Sequence, residues 1–78
     1  MSKQSQKTAQ TKKNIAEAFI FLCKTTDIKN ITVKQVIEKA GYNRATFYRY
    51  FEDINSLLDY IEDVFTILLI LRTSLFSL

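Results

Sequence analysis

Arg44, Thr46, Tyr48 and Arg49 fall within one six-residue stretch of this 78-residue chain, and their chemistry suits the reading of a nucleic acid. A guanidinium is a planar fork of donors that matches the paired acceptors on the major-groove edge of guanine. Threonine offers a hydroxyl to a base and a methyl to thymine. Tyr48 and Arg49, one helical turn beyond Arg44, suit phosphates or the far strand. Asn43, Ala45 and Tyr50 belong to the same stretch, and Thr32 and Lys34 form a second cluster upstream. There a helix start would offer free backbone amides, and a lysine, to a phosphate. Singly, each residue is as well explained by an ordinary surface or core role; the pattern as a whole points to DNA.

Catalytic chemistry finds little to work with. The chain has no histidine, one glycine, one cysteine and no proline. Histidine is the commonest general acid–base at neutral pH, and a phosphate-cradling loop needs several glycines. Asp59, Glu62 and Asp63 are expected to be solvated carboxylates of a helix face. No enzyme activity, cofactor or metal site is therefore expected. Cys23 lies in an apolar stripe and is expected to be a small buried hydrophobe, inert as a thiol.

Helices must position these residues, because so few chain breakers favour an all-α bundle. Residues 1–10 lack periodicity and read as a flexible basic arm. Ile15, Ala18, Phe19, Leu22 and Cys23 recur on one face and predict a helix over about 11–24. Thr32 with Gln35 is a capping box, and Ile31 with Val36 has the spacing of a hydrophobic staple, so a second helix should span 32–40. Gly41 is expected to close it in a left-handed conformation. Asn43 is a candidate N-cap for a third helix over 43–50, and a two-helix unit with a short glycine turn is a helix-turn-helix. Asp53 should cap a fourth helix to about residue 73, with Ile54, Leu57, Leu58 and Ile61 facing the head. The expected core is Ile15, Ala18, Phe19, Leu22, Val36, Ile37, Ala40, Phe47 and Phe51. The chain thus divides into an arm (1–10), a helix-turn-helix domain (11–53) and a fourth helix with an apolar tail (54–78).

Charge follows the same division. Residues 1–50 carry ten Lys/Arg against three acids, a net +7, while residues 51–78 carry Arg72 against five acids, a net −4. A basic head on an acidic tail is the asymmetry expected of a head that meets a polyanion. The N-terminus has no apolar core of a secretory signal, so the cytoplasm is the expected compartment. The apolar run Val64–Leu71 is well short of the roughly 20 residues of a membrane span, and none is expected.

The stretch from about Ile15 to Leu58 resembles the DNA-binding head of the tetracycline-repressor (TetR/AcrR) family. Thr32-Val33-Lys34-Gln35-Val36-Ile37-Glu38-Lys39-Ala40-Gly41 is similar to its second helix and turn. Tyr42 through Phe51, then Asp53 and Leu57-Leu58, is similar to its recognition helix and the entry to helix four. The resemblance implies a homeodomain-like three-helix head followed by a fourth helix. It also implies a repressor whose two heads read a palindromic operator in double-stranded DNA, with a ligand-binding, dimerising domain further on. By position it carries DNA-facing roles to Lys34, Arg44, Ala45, Thr46, Tyr48, Arg49 and Tyr50. Two places depart from the pattern: Ile54 stands where the family often has a phosphate-reaching lysine, and Asp27 where it has a glycine. Asp27 is expected to take that glycine's left-handed geometry.

The chain reads as a truncated copy of such a repressor, either a homodimer or a partner of a full-length relative. Its alternative is an interaction module that dimerises through residues 64–78 without productive DNA binding.

Overall fold

The computed structural model describes residues 2–76, and the side chains of residues 6–72. It contains four helices, α1 (Ser2–Leu22), α2 (Val33–Ala40), α3 (Arg44–Tyr50) and α4 (Ile54–Phe76), with a 3-10 turn at Ile28–Asn30, and no strand among the described residues. The all-helical head with a fourth helix is therefore the fold.

One core joins the four helices. Ile15 and Phe19 of α1, Val36 of α2, Phe47 of α3 and Leu57 of α4 are essentially inaccessible to water. Ala16, Ala18, Ile31, Ile37, Phe51 and Ile61 complete the cluster. Leu22 and Ala40, expected at the centre, pack at its margin. Fully burying side chains of the Val, Leu, Ile and Phe class stabilises by roughly 1.5–3 kcal/mol each, so this cluster is what opposes the chain's conformational entropy. Ile31 and Val36 are both buried, as the staple spacing requires.

The short helices end where local chemistry directs. Thr32 Oγ1 accepts from Gln35 N at 3.2 Å while Gln35 Oε1 accepts from Thr32 N at 2.9 Å, so the capping box is closed in both directions. Gly41 terminates α2 at φ 83°, donating its N–H to the Ile37 carbonyl at 2.8 Å. Asp53 Oδ1 accepts from Ser56 N at 2.9 Å and caps α4.

Several expectations are corrected. Helix α1 begins at Ser2, so most of the segment expected to be a loose arm is helical. That segment has no apolar period, yet it lacks Gly and Pro and is rich in Lys and Gln, which favour helix. Thr11, at the junction, is buried and donates its hydroxyl to the Lys7 carbonyl at 2.9 Å. Cys23 is exposed, because α1 stops at Leu22 and the cysteine lies in the turn beyond the reach of α2. Partial desolvation still raises its thiol pKa, which lowers its thiolate fraction. Asp27 is not left-handed: at φ −59° it caps the 3-10 turn, accepting from Lys29 N at 3.3 Å. Its carboxylate supplies the turn that the glycine geometry would have supplied.

With radius of gyration 14.1 Å, the chain exceeds the roughly 11.5 Å of a compact domain this long, since α1 and α4 project past the head. No helix among the described residues is long and apolar enough to cross a membrane.

Two stability tests follow from the caps. Thr32→Ala should lose about 0.5–2 kcal/mol in urea unfolding while Thr32→Ser keeps most of it; equal losses would exclude capping as the main role. Gly41→Ala should lose about 1–2 kcal/mol although its Cβ would meet nothing within 4 Å, because the penalty lies in the backbone. Gly41→Asn should lose clearly less than alanine.

Candidate nucleic-acid interface

Helix α3 has only seven residues, too few to persist alone, so its outward face exists because its inner face is anchored. Asn43 Oδ1 accepts from Thr46 N at 2.8 Å and caps its start. Phe47 is fully buried, and Phe51, whose N–H donates to the Phe47 carbonyl at 2.9 Å, is nearly so. The Phe47 and Phe51 rings lie 5.6 Å apart, and Phe51 meets Tyr60 of α4 edge-on at 5.5 Å. This aromatic chain ties the end of α3 to α4.

Anchoring Phe47 sets the helix's rotation. At about 100° per residue, Arg44, Tyr48, Ala45 and Arg49 occupy one continuous arc running from about 60° to about 200° around the helix from Phe47, and all four are exposed. Tyr48 keeps half its surface in water while its ring meets Phe47 edge-on at 5.3 Å, which stiffens it. Thr46 and Tyr50, one turn apart, are half-buried on the flank. The nine candidate residues therefore divide. Arg44, Ala45, Tyr48 and Arg49 project from α3; Thr46 and Tyr50 border them. Thr32, Lys34 and Asn43 are exposed at the two helix starts. The acceptor oxygens of Thr32 and Asn43 are engaged in capping, which leaves the Asn43 amide N–H groups free to donate.

One anchoring residue was not anticipated. Asn14 Nδ2 donates to Tyr42 Oη at 2.9 Å, and Asn14 Oδ1 accepts from Gln10 Nε2 at 2.9 Å. Tyr42 thus ties the turn between α2 and α3 to α1. Nothing local signals a contact between residues 28 positions apart. Lys39 was also missed as a packing element: its Nζ sits 3.8 Å from the centre of the exposed Phe21 ring, with Lys24 Nζ at 5.3 Å. Such cation–π placement gathers two of the head's charges, from the turn after α1 and the end of α2, around the Phe21 ring. Among the described residues no group of three or more His, Cys, Asp or Glu is placed to hold a metal ion.

Residues 22–61, the end of α1 through the first turns of α4, match the model of the bacterial regulatory proteins of the tetR family. The chain belongs to this family. Over 51 residues it is 43% identical to the uncharacterized HTH-type transcriptional regulator YxbF of Bacillus subtilis (strain 168). That alignment covers 64% of this chain and 13% of the relative, so the chain spans a small part of the regulator it matches. No solved structure matches it. Within the matched residues, α2, the Gly41 turn and α3 form two short helices joined by a tight turn, a helix-turn-helix.

The Tyr42 tether is testable by itself. Tyr42→Phe removes the hydroxyl and leaves the half-buried Asn14 amide short of a partner, so urea unfolding should report a loss of about 0.5–1.5 kcal/mol. An unchanged midpoint would mean that water replaces the contact without loss.

Proposed function

We propose that this chain binds double-stranded DNA in a sequence-specific way, with α3 as the recognition helix, and acts as the DNA-reading part of a repressor. The observation that carries this reading is the exposed arc Arg44–Ala45–Tyr48–Arg49 on a helix locked by Phe47 and capped by Asn43. With side chains a helix such as α3 is roughly 10–12 Å across, a diameter that fits a major groove about 12 Å wide. Arg44, at the first position of α3, would place its fork on guanine. Ala45 is small enough to let the backbone approach and to touch a thymine methyl. Thr46, from the flank, would reach a base or a methyl, and Tyr48, Arg49 and Tyr50 would contact phosphates. Lys34, the Asn43 amide and the first amides of α2 beyond Thr32 would hold the opposite wall. The basic segment 1–10, the helix-turn-helix of residues 11–53 and the α4 segment 54–78 would then be its working parts.

Occupying an operator is the means of repression, with no catalytic step, and the cytoplasm is where a bacterial operator is met. A palindromic operator needs two linked heads about 34–36 Å apart, because a lone head binds only at the roughly 10⁻⁴–10⁻⁶ M level of nonspecific contact. A second reading, an interaction module that associates through residues 64–78, draws support from the exposed apolar side chains between Val64 and Leu71. Selection of bound sequences from a random DNA pool separates the two: an enriched palindrome supports operator reading, and no enrichment leaves the module.

Given an enriched site, Arg44→Ala should weaken binding by about 1–3 kcal/mol and relax preference at one base position. Lys34→Ala should weaken all sequences alike and reduce the salt slope by about one. Unchanged base preference in Arg44→Ala would remove that residue from the base edges.

A further inference from the structure

Two contacts fix how α1 crosses the head. Phe21 meets Lys39 near the end of α2, its ring centre 3.8 Å from the ammonium. Asn14, two turns earlier, donates at 2.9 Å to the hydroxyl of Tyr42, beyond the end of α2. Followed back towards Ser2, α1 therefore runs along the end of α2 and on past the turn that starts α3. At about 100° and 1.5 Å per residue, Gln10 and Lys7 stand on the same face as Asn14, about 6 Å and 10 Å further along. Thr11 is buried and Thr8 half-buried on the inner side, so this part of α1 still lies against the head.

The face is made of donors. Residues 1–16 carry Lys3, Lys7, Lys12 and Lys13 and no acid. Lys12 is turned to the other flank, its ammonium 5.7 Å from the centre of the Tyr60 ring, and Lys13 lies about 120° around the helix from Lys7. Lys7 is the one of these three that continues the Asn14 face, and it is exposed. Gln10 Nε2 donates to Asn14 Oδ1 at 2.9 Å and Asn14 Nδ2 donates to Tyr42 Oη, so one Gln10 amide N–H and the Tyr42 O–H remain to donate outward. A lysine, an amide and a hydroxyl in a row, with no acid among them, suit a phosphate backbone.

We propose that Lys7, Gln10 and the Tyr42 hydroxyl form a second grip on double-stranded DNA, on the phosphates that flank the bases α3 reads. A strand advances about 3.4 Å per nucleotide, so the roughly 10 Å from Tyr42 to Lys7 spans about three phosphates. The grip carries no sequence information and extends the footprint outward from the start of α3. It deepens the operator reading above, and rests on that reading for the position of α3 on the duplex. An anionic membrane would need an apolar face on the same helix, and between Ser2 and Gln10 only Ala9 is apolar.

The test measures binding over a range of salt, on a duplex carrying the site enriched from the random pool and on one of mixed sequence, with hydroxyl-radical footprints of the first. Lys7→Ala should lower the salt slope by about one on both duplexes, weaken binding roughly three- to tenfold near 0.1 M salt, and leave base preference unchanged. Its footprint should lose about two or three nucleotides outside the site. Lys13→Ala removes the same charge from another face, and should leave the footprint intact and the slope nearly so. Ala9→Pro should behave like Lys7→Ala, because it breaks the helix that carries Lys7 while the core begins only at Thr11. Urea unfolding should show the head intact in all three variants. Equal effects of Lys7→Ala and Lys13→Ala, or a Lys7→Ala chain with native slope and footprint, would overturn the proposal. Full binding by Ala9→Pro would overturn the helical grip in favour of a loose arm. An enriched site bound without help from Lys7 leaves the operator reading standing and removes the grip. A slope that depends on Lys7 on the mixed duplex, with no site enriched, supports the grip and removes the operator reading. No binding to either duplex removes both.

Discussion

The burial of Phe47 is the contact on which the rest of the head depends. A seven-residue helix cannot maintain itself, since nucleation is unfavourable and few internal bonds follow it. What holds α3 is a ring buried in one cluster with Ile15 and Phe19 of α1, Val36 of α2 and Leu57 of α4. Because interiors are close-packed, that insertion fixes rotation as well as position. Arg44, Ala45, Tyr48 and Arg49 face outward as a consequence of where Phe47 faces inward. Removing the ring would therefore abolish the outward surface along with part of the core.

Capping works on the same surface from the outside. Thr32, Gly41, Asn43 and Asp53 settle the orphan backbone groups of three successive helices within 22 residues, leaving the connecting turns short and defined. Short turns matter because a base-reading helix must be held to a fraction of an ångström relative to the element that grips the backbone. The Asn14–Tyr42 hydrogen bond extends that rigidity from the turn back to α1. Thr32 and Asn43 therefore stand both in the fold, as caps, and beside the candidate interface.

Charge and hydrophobicity are segregated along the molecule. The basic residues cluster in the helix-turn-helix half, where a polyanion would be met, while α4 carries acids and then an uncovered apolar stretch. The apolar groove between α1 and α4, lined by Ala16, Ile20, Tyr60, Val64, Phe65 and Leu68, continues the head's core outward without closing it. The uncovered stretch lies on the part of α4 that has left the head behind, so a surface placed against it need not obstruct α3.

Local chemistry determined much of this protein in advance. The Thr32–Gln35 box, the glycine at 41, the Asn43 and Asp53 caps and the apolar periods of α2 and α4 each act within a few residues of themselves. The elements, their order and most of the core could therefore be read directly from the chain. Tertiary structure decided what depends on residues far apart. Periodicity reports burial and not helicity, so the start of α1 at Ser2 was invisible in a segment without an apolar repeat. Cys23 belongs to the α1 stripe by spacing, yet the helix ends one residue before it and it stands exposed. Tyr42 found its partner 28 residues away, and Thr46 was turned to the flank by the seating of Phe47. Each of these was settled by packing between distant segments, a geometry that no local rule contains.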